Sequence, residues 1–238
     1  MITRPGWRRV GIVAAVLLST GLLVGLLMLL REPPVDSAPH PFNQDRNAVW
    51  LEHRWLTETH SRPEMETLVR ALAGHGVHYI FPHLIPFDAA GRLPLRSREQ
   101  LRAFLGGTKA AAPRMQVLPW VGGLRTGYRR TRRGTIDLGD LNQRQQIVAE
   151  CRSLMDEGFD GVHLNIEPVP HGADGFLSLL RALRPAIGPS GTLSVSATRP
   201  GPWSLPATSR FVWPPAFYGQ VAAAADQLVV MGYDTGLP

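Results

Sequence analysis

The sequence predicts an α/β fold of parallel strands and crossover helices, preceded by one N-terminal transmembrane helix. Three observations carry this reading. From Ala48 onward, six short apolar runs alternate with amphipathic helical segments, and strand–helix–strand at that spacing gives parallel pairing. Val10–Leu30 is an uncharged, almost wholly apolar run of 21 residues. One candidate strand, Gly161–Ile166, separates into an aliphatic face and a polar face.

Residues 1–9 hold Arg4, Arg8 and Arg9 and no acid, so the positive-inside rule places them in the cytoplasm and everything beyond the apolar run outside. As a helix, residues 10–30 span roughly 30 Å, enough for a bilayer. The run is longer than a signal-peptide core of about 7–15 residues, which favours a signal anchor. Secretion after cleavage near Asp36-Ser37-Ala38 is the alternative. Residues 31–47, with Pro33, Pro34, Pro39 and Pro41, read as a linker. Residues 48–238 form the α/β domain, read as a partial (β/α) barrel. Four of the six net positive charges lie in residues 1–31, leaving +2 on the rest; nucleic acid is not expected as a partner. Cys151 is the only cysteine, which excludes an intrachain disulfide.

The candidate strands are Ala48–Leu51, Val77–Phe81, Met115–Trp120, Gly161–Ile166, Leu193–Ala197 and Gln227–Gly232. Ser61 and Glu64 form a capping box ahead of Met65, Leu68, Val69 and Leu72 at helical spacing. Ser97 and Gln100 repeat the pattern. Asp140 caps a third helix that Gly158 stops, and Asp174 opens a fourth with Pro185 after it. This alternation fits a barrel or a doubly wound open sheet. The first strand is not followed by a Gly-rich phosphate fingerprint, which weakens the dinucleotide-binding version.

In the fourth candidate strand, Val162, Leu164 and Ile166 share the aliphatic face, while His163, Asn165 and Glu167 share the polar one. In a barrel the polar set faces the axis and climbs to the C-terminal rim, where such folds place their chemistry. Three inward polar groups are costly core filling, which marks them as candidate functional residues; a solvated strand end is the bland alternative. Asn165 and Glu167 lie roughly 7 Å apart along one side. His163 and Glu167 lie roughly 13 Å apart, too far to share a metal even with His171 nearby; no metal or other cofactor is expected.

The segment Asp160-Gly161-Val162-His163-Leu164-Asn165-Ile166-Glu167 resembles the fourth-strand signature of glycoside hydrolase family 18, the chitinase-like TIM barrels, Asp-x-x-Asp-x-Asp-x-Glu. Asp160 and Glu167 match; His163 and Asn165 replace the two intervening acids. Met231-Gly232-Tyr233-Asp234 resembles the family's sixth-strand Met-x-Tyr-Asp. The resemblance implies a (β/α)8 TIM barrel, of which about six βα units are present here. The expectation is a truncated chain or a partner that closes the sheet, with the oligomeric state open.

The resemblance also implies substrate-assisted, retaining hydrolysis of a polysaccharide containing N-acetylhexosamine, an exception to the two-carboxylate scheme. Glu167 would be the general acid and Asn165 would accept the acetamide N–H, as an Asn-x-Glu pair does in endo-acting N-acetylglucosaminidases of family 85. Tyr233 would hydrogen-bond the acetamido carbonyl. Asp160, His163 and Asp234 would belong to the substrate site, and Trp120, at the end of the third strand, would wall a sugar subsite. Trp50, Trp203, Trp213, Phe217 and Tyr218 are further aromatic candidates. Arg125, Arg129, Arg130, Arg132 and Arg133 form either a polyanion site or a solvated loop. Two other readings stand beside hydrolysis: a glycan-binding pseudoenzyme, and a barrel glycosidase on sugars without an acetamido group, with Glu52 or Asp234 as partner of Glu167.

Overall fold

The computed structural model of the chain describes residues 6–30, 46–94, 98–126, 135–198 and 211–232, with side chains of the first segment described from 11 to 27. The elements run α1 (Gly6–Leu30), β1 (Asn47–Leu51), α2 (Arg54–Thr57), α3 (Arg62–Gly74), β2 (Val77–Pro82), α4 (Arg98–Ala111), β3 (Gln116–Val117), β4 (Trp120–Leu124), α5 (Leu141–Asp156), β5 (Gly161–Glu167), α6 (Asp174–Ile187), β6 (Thr192–Ala197), α7 (Pro215–Ala222) and β7 (Gln227–Val230).

All strand pairs are parallel, in the orders β1-β2-β3 and β4-β5-β6-β7. The two sheets are one arc. Ile80 O accepts from Leu118 N–H, and Val117 O and Pro119 O accept from Asp160 and His163. A His83–Trp120 bridge ties the end of β2 to β4. β3 and β4 therefore occupy one strand position between β2 and β5. The third strand, expected to end at Trp120, instead breaks at Leu118-Pro119 and runs on to Leu124. Pro119 has no N–H for the ladder, and the pairing restarts immediately after it. Trp120 thus opens β4 rather than closing a strand.

The helices cover the outer face of the arc. Val162, Leu164 and Ile166 of β5 are buried with Ile147, Cys151 and Leu154 of α5 and Leu179, Leu180 and Leu183 of α6 in one core cluster. Asp140 caps α5 by accepting from Asn142 and Gln143 N–H at 2.8 and 3.3 Å. Ser61 caps α3 by accepting from Glu64 N–H at 3.4 Å. The expected capping box is only half formed, because the Glu64 carboxylate turns to His60 Nδ1 at 3.2 Å. Ser97 lies outside the described residues. Pro185 does not follow α6 but sits inside its last turn; the buried Ile187 and the Arg184 guanidinium, which reaches the carbonyls of Gly188 and Gly191, hold that turn. α2 and α7 are short and carried no period to predict them.

None of the described side chains of α1, residues 11–27, belongs to this core. They are exposed, Leu17 and Leu22 by 68% and 70%. Ser19 and Thr20 return their hydroxyls to the carbonyls of Ala15 and Val16. Among the described residues no helix is long and apolar enough to cross a membrane: positions 11–27 give 17 described side chains, against about 20 for a span. The expected transmembrane anchor therefore draws no support from the fold itself.

Candidate functional site

The C-terminal ends of β4 and β5 set the site. Their register places Trp120 beside His163, Gly122 beside Asn165 and Leu124 beside Glu167. A cleft of about 510 Å³ opens there, lined by His83, Phe87, Trp120, Leu124, Asn165 and Glu167 among others. Three residues singled out in the sequence, Glu167, Asn165 and Trp120, thus come together on one cavity.

Glu167 is half-buried at the last position of β5, and its backbone carbonyl accepts from Arg125 N–H at 2.8 Å. Among the described residues its carboxylate makes no hydrogen bond. Asn165 Oδ1 is buried, also without a hydrogen-bond partner among the described residues. An orphaned buried acceptor is costly, and this one belongs to a residue lining the cleft.

His163 is not in the cleft. It is wholly buried one step below Asn165, stacked on Phe81 at 4.1 Å and 6°. Trp50 Nε1–H donates to Nε2 at 3.2 Å. An indole is a donor only, so Nε2 carries no proton and Nδ1 does. Nδ1–H then donates to Ser194 Oγ at 2.8 Å, and Ser196 Oγ donates to Nε2 at 3.0 Å. Burial pushes the pKa down to about 3. The ring is a neutral, saturated plug of the barrel interior rather than the sugar contact the sequence led one to expect.

Asp160 is not in the cleft either. It precedes β5, roughly 23 Å of strand from Glu167, where it binds Lys109 Nζ at 2.7 Å and accepts from Val117 N–H at 2.8 Å. Glu52, exposed, pairs with Arg54 at 3.2 Å and does not line the cleft. Tyr233, Asp234, Trp203 and the arginines at 129, 130, 132 and 133 lie outside the described residues. Among the described residues no group of three or more His, Cys, Asp and Glu side chains could hold a metal.

Sequence reasoning missed His83. It stacks on Trp120 at 4.0 Å and 29°, and burial, helped by the neighbouring His53, lowers its pKa. The ring covers one face of the indole. The available signal was its place one residue beyond the C-terminal end of β2, at the rim.

No family model and no curated protein matches the sequence. Solved structures do match. The C-terminal domain of a candidate chitinase from Desulfitobacterium hafniense aligns with a TM-score of 0.61 at 16% identity, over 80% of this chain and 55% of that one. A variant of a GH18 chitinase from Cycas revoluta, solved with (GlcNAc)4, gives 0.57 at 20%, over 79% and 55%. The spore cortex-lytic enzyme of Bacillus cereus gives 0.56 at 14%, over 80% and 42%. The chain spans about half the length of these proteins. The likeness shows the fold: an arc of the (β/α) barrel found in chitinases.

Proposed function

We propose that the chain is a divergent member of glycoside hydrolase family 18 that cleaves polysaccharide containing N-acetylhexosamine by a substrate-assisted, retaining route. The observation that supports this is the presence, on one aromatic-walled cleft at the barrel's C-terminal rim, of the Glu167 carboxyl and an Asn165 Oδ1 that has no partner among the described residues. Glu167 donates its proton to the leaving glycosidic oxygen as the C1–O bond breaks. The acetamide N–H of the same sugar donates to Asn165 Oδ1, which turns the acetamide oxygen onto C1 to form the cyclic intermediate. Glu167, now a carboxylate, takes a proton from the water that opens it. Trp120 stacks on a sugar face, and Tyr233 is assigned the acetamide carbonyl.

The charge distribution supports substrate assistance over a two-carboxylate scheme. The other carboxylate on the cleft among the described residues is Asp88, whose Oδ1 already accepts from Ala90 and Arg92 N–H at 2.8 Å each. Glu167→Gln should abolish release of reducing ends from a chito-oligosaccharide without changing the unfolding transition; undiminished release removes the assignment. An active enzyme indifferent to a thiazoline inhibitor would instead mean a sugar without an acetamido group. The replacement of two family acids by the neutral His163 and Asn165 favours one rival, a glycan-binding pseudoenzyme, recognised by binding of chito-oligosaccharides with no release of reducing ends.

From the sequence alone, the apolar run of residues 10–30 behind Arg4, Arg8 and Arg9 is proposed as a membrane anchor that holds the barrel outside the cytoplasmic membrane.

A further inference from the structure

We infer that Trp213 is a positioning residue for Glu167, acting through the carbonyl of Val169; the inference rests on the reading of Glu167 as the acid. The carboxylate of Glu167 has no hydrogen bond among the described residues, whereas its backbone and the exit that follows are held on both sides. That backbone is held on one side by Arg125 N–H, which donates to Glu167 O. On the other side the chain leaves β5 as Pro168-Val169-Pro170. Two of these three residues have no N–H, so the exit is best gripped by its carbonyls. Trp213 Nε1–H supplies that grip, donating to Val169 O at 2.8 Å. Both residues are buried, at 2% and 5% exposure.

The indole is itself fixed. Phe217 and Tyr218 of α7 meet it edge-on at 5.0 and 5.4 Å, and Phe176 of α6 lies at 6.1 Å. Tyr218 OH in turn donates to Thr198 O, just beyond β6. One aromatic cluster therefore ties down the exits of two adjacent strands, β5 and β6, by a hydrogen bond to a carbonyl of each. A rigid donor is suited to this, because proton transfer to a leaving group tolerates little displacement of the acid.

The test is Trp213→Phe, which keeps an aromatic ring and deletes the N–H, assayed beside Glu167→Gln on two substrates. A chito-oligosaccharide has a poor leaving group and needs the acid; a 2,4-dinitrophenyl N-acetylglucosaminide does not. Trp213→Phe should lower kcat on the oligosaccharide about tenfold, leave KM within about twofold, and leave the aryl glycoside near wild type. Equal losses on both substrates, or no loss on either, overturn the inference. If Glu167→Gln still cleaves the oligosaccharide, the reading of Glu167 fails instead. A second measurement is independent of turnover. The carbon-13 carboxyl resonance of Glu167, assigned by its loss in Glu167→Gln, should shift in folded Trp213→Phe at neutral pH. An unchanged resonance would equally overturn it.

Discussion

Gly122 and Asn165 face each other across β4 and β5 so closely that a Cβ on Gly122 would lie 1.8 Å from the Asn165 carbonyl oxygen. The glycine lets the strand that carries Trp120 close onto the strand that carries Asn165 and Glu167.

Gly122→Ala should therefore destabilise the fold by at least the 1–3 kcal/mol, roughly, of ordinary overpacking, because the obstacle is backbone. Gly106, in α4 with open space around its Cβ position, is the control. Gly106→Ala should be neutral or stabilising by about 0.5–1 kcal/mol. Denaturant midpoints of the two variants decide it, and equal midpoints would contradict the close approach.

His163 should make the protein acid-sensitive. Its pKa falls from 6.5 to about 3 on folding, so between those values the unfolded chain binds a proton that the folded one refuses. Stability then declines as pH drops from about 6.5 toward 3, by at most about 1.4 kcal/mol per unit. Glu157, held below the usual carboxylate range by Arg102 and Arg98, also loses its contribution in acid, so the comparison must be differential. His163→Leu should be less stable than wild type at neutral pH, because Trp50, Ser194 and Ser196 lose their partner. The gap between the two should narrow on acidification. Thermal unfolding at pH 7 and 4.5 measures it; a constant gap would show that His163 is protonated in the folded state.

The anchor makes its own prediction. The full chain should sediment with membranes and resist carbonate extraction, and protease added to intact cells should digest residues 48–238. A soluble product beginning near Pro39 would show instead that residues 10–30 are a cleaved signal.

The sequence by itself determined what depends on neighbours along the chain. The two faces of β5 follow from a period of two, and Val162, Leu164 and Ile166 are buried as that period requires. Asp140 and Ser61 start their helices because their side chains reach N–H groups two or three residues away. Glu167 and Asn165 share a side for the same local reason, and the strand count followed from the spacing of apolar runs.

Tertiary structure alone decided which polar residues meet open space. His163 and Asn165 look alike in the strand pattern, yet one is saturated by Trp50, Ser194 and Ser196, the nearest of them 31 residues away in sequence, and the other keeps an oxygen with no partner among the described residues. Asp160 matches the signature but spends its carboxylate on Lys109 and Val117. The stack of His83 on Trp120 and the Trp213 clamp likewise join residues from different βα units. Periodicity fixes the side of a strand on which a side chain stands; what stands opposite it is set by how distant strands pair and how deep in the barrel each position falls.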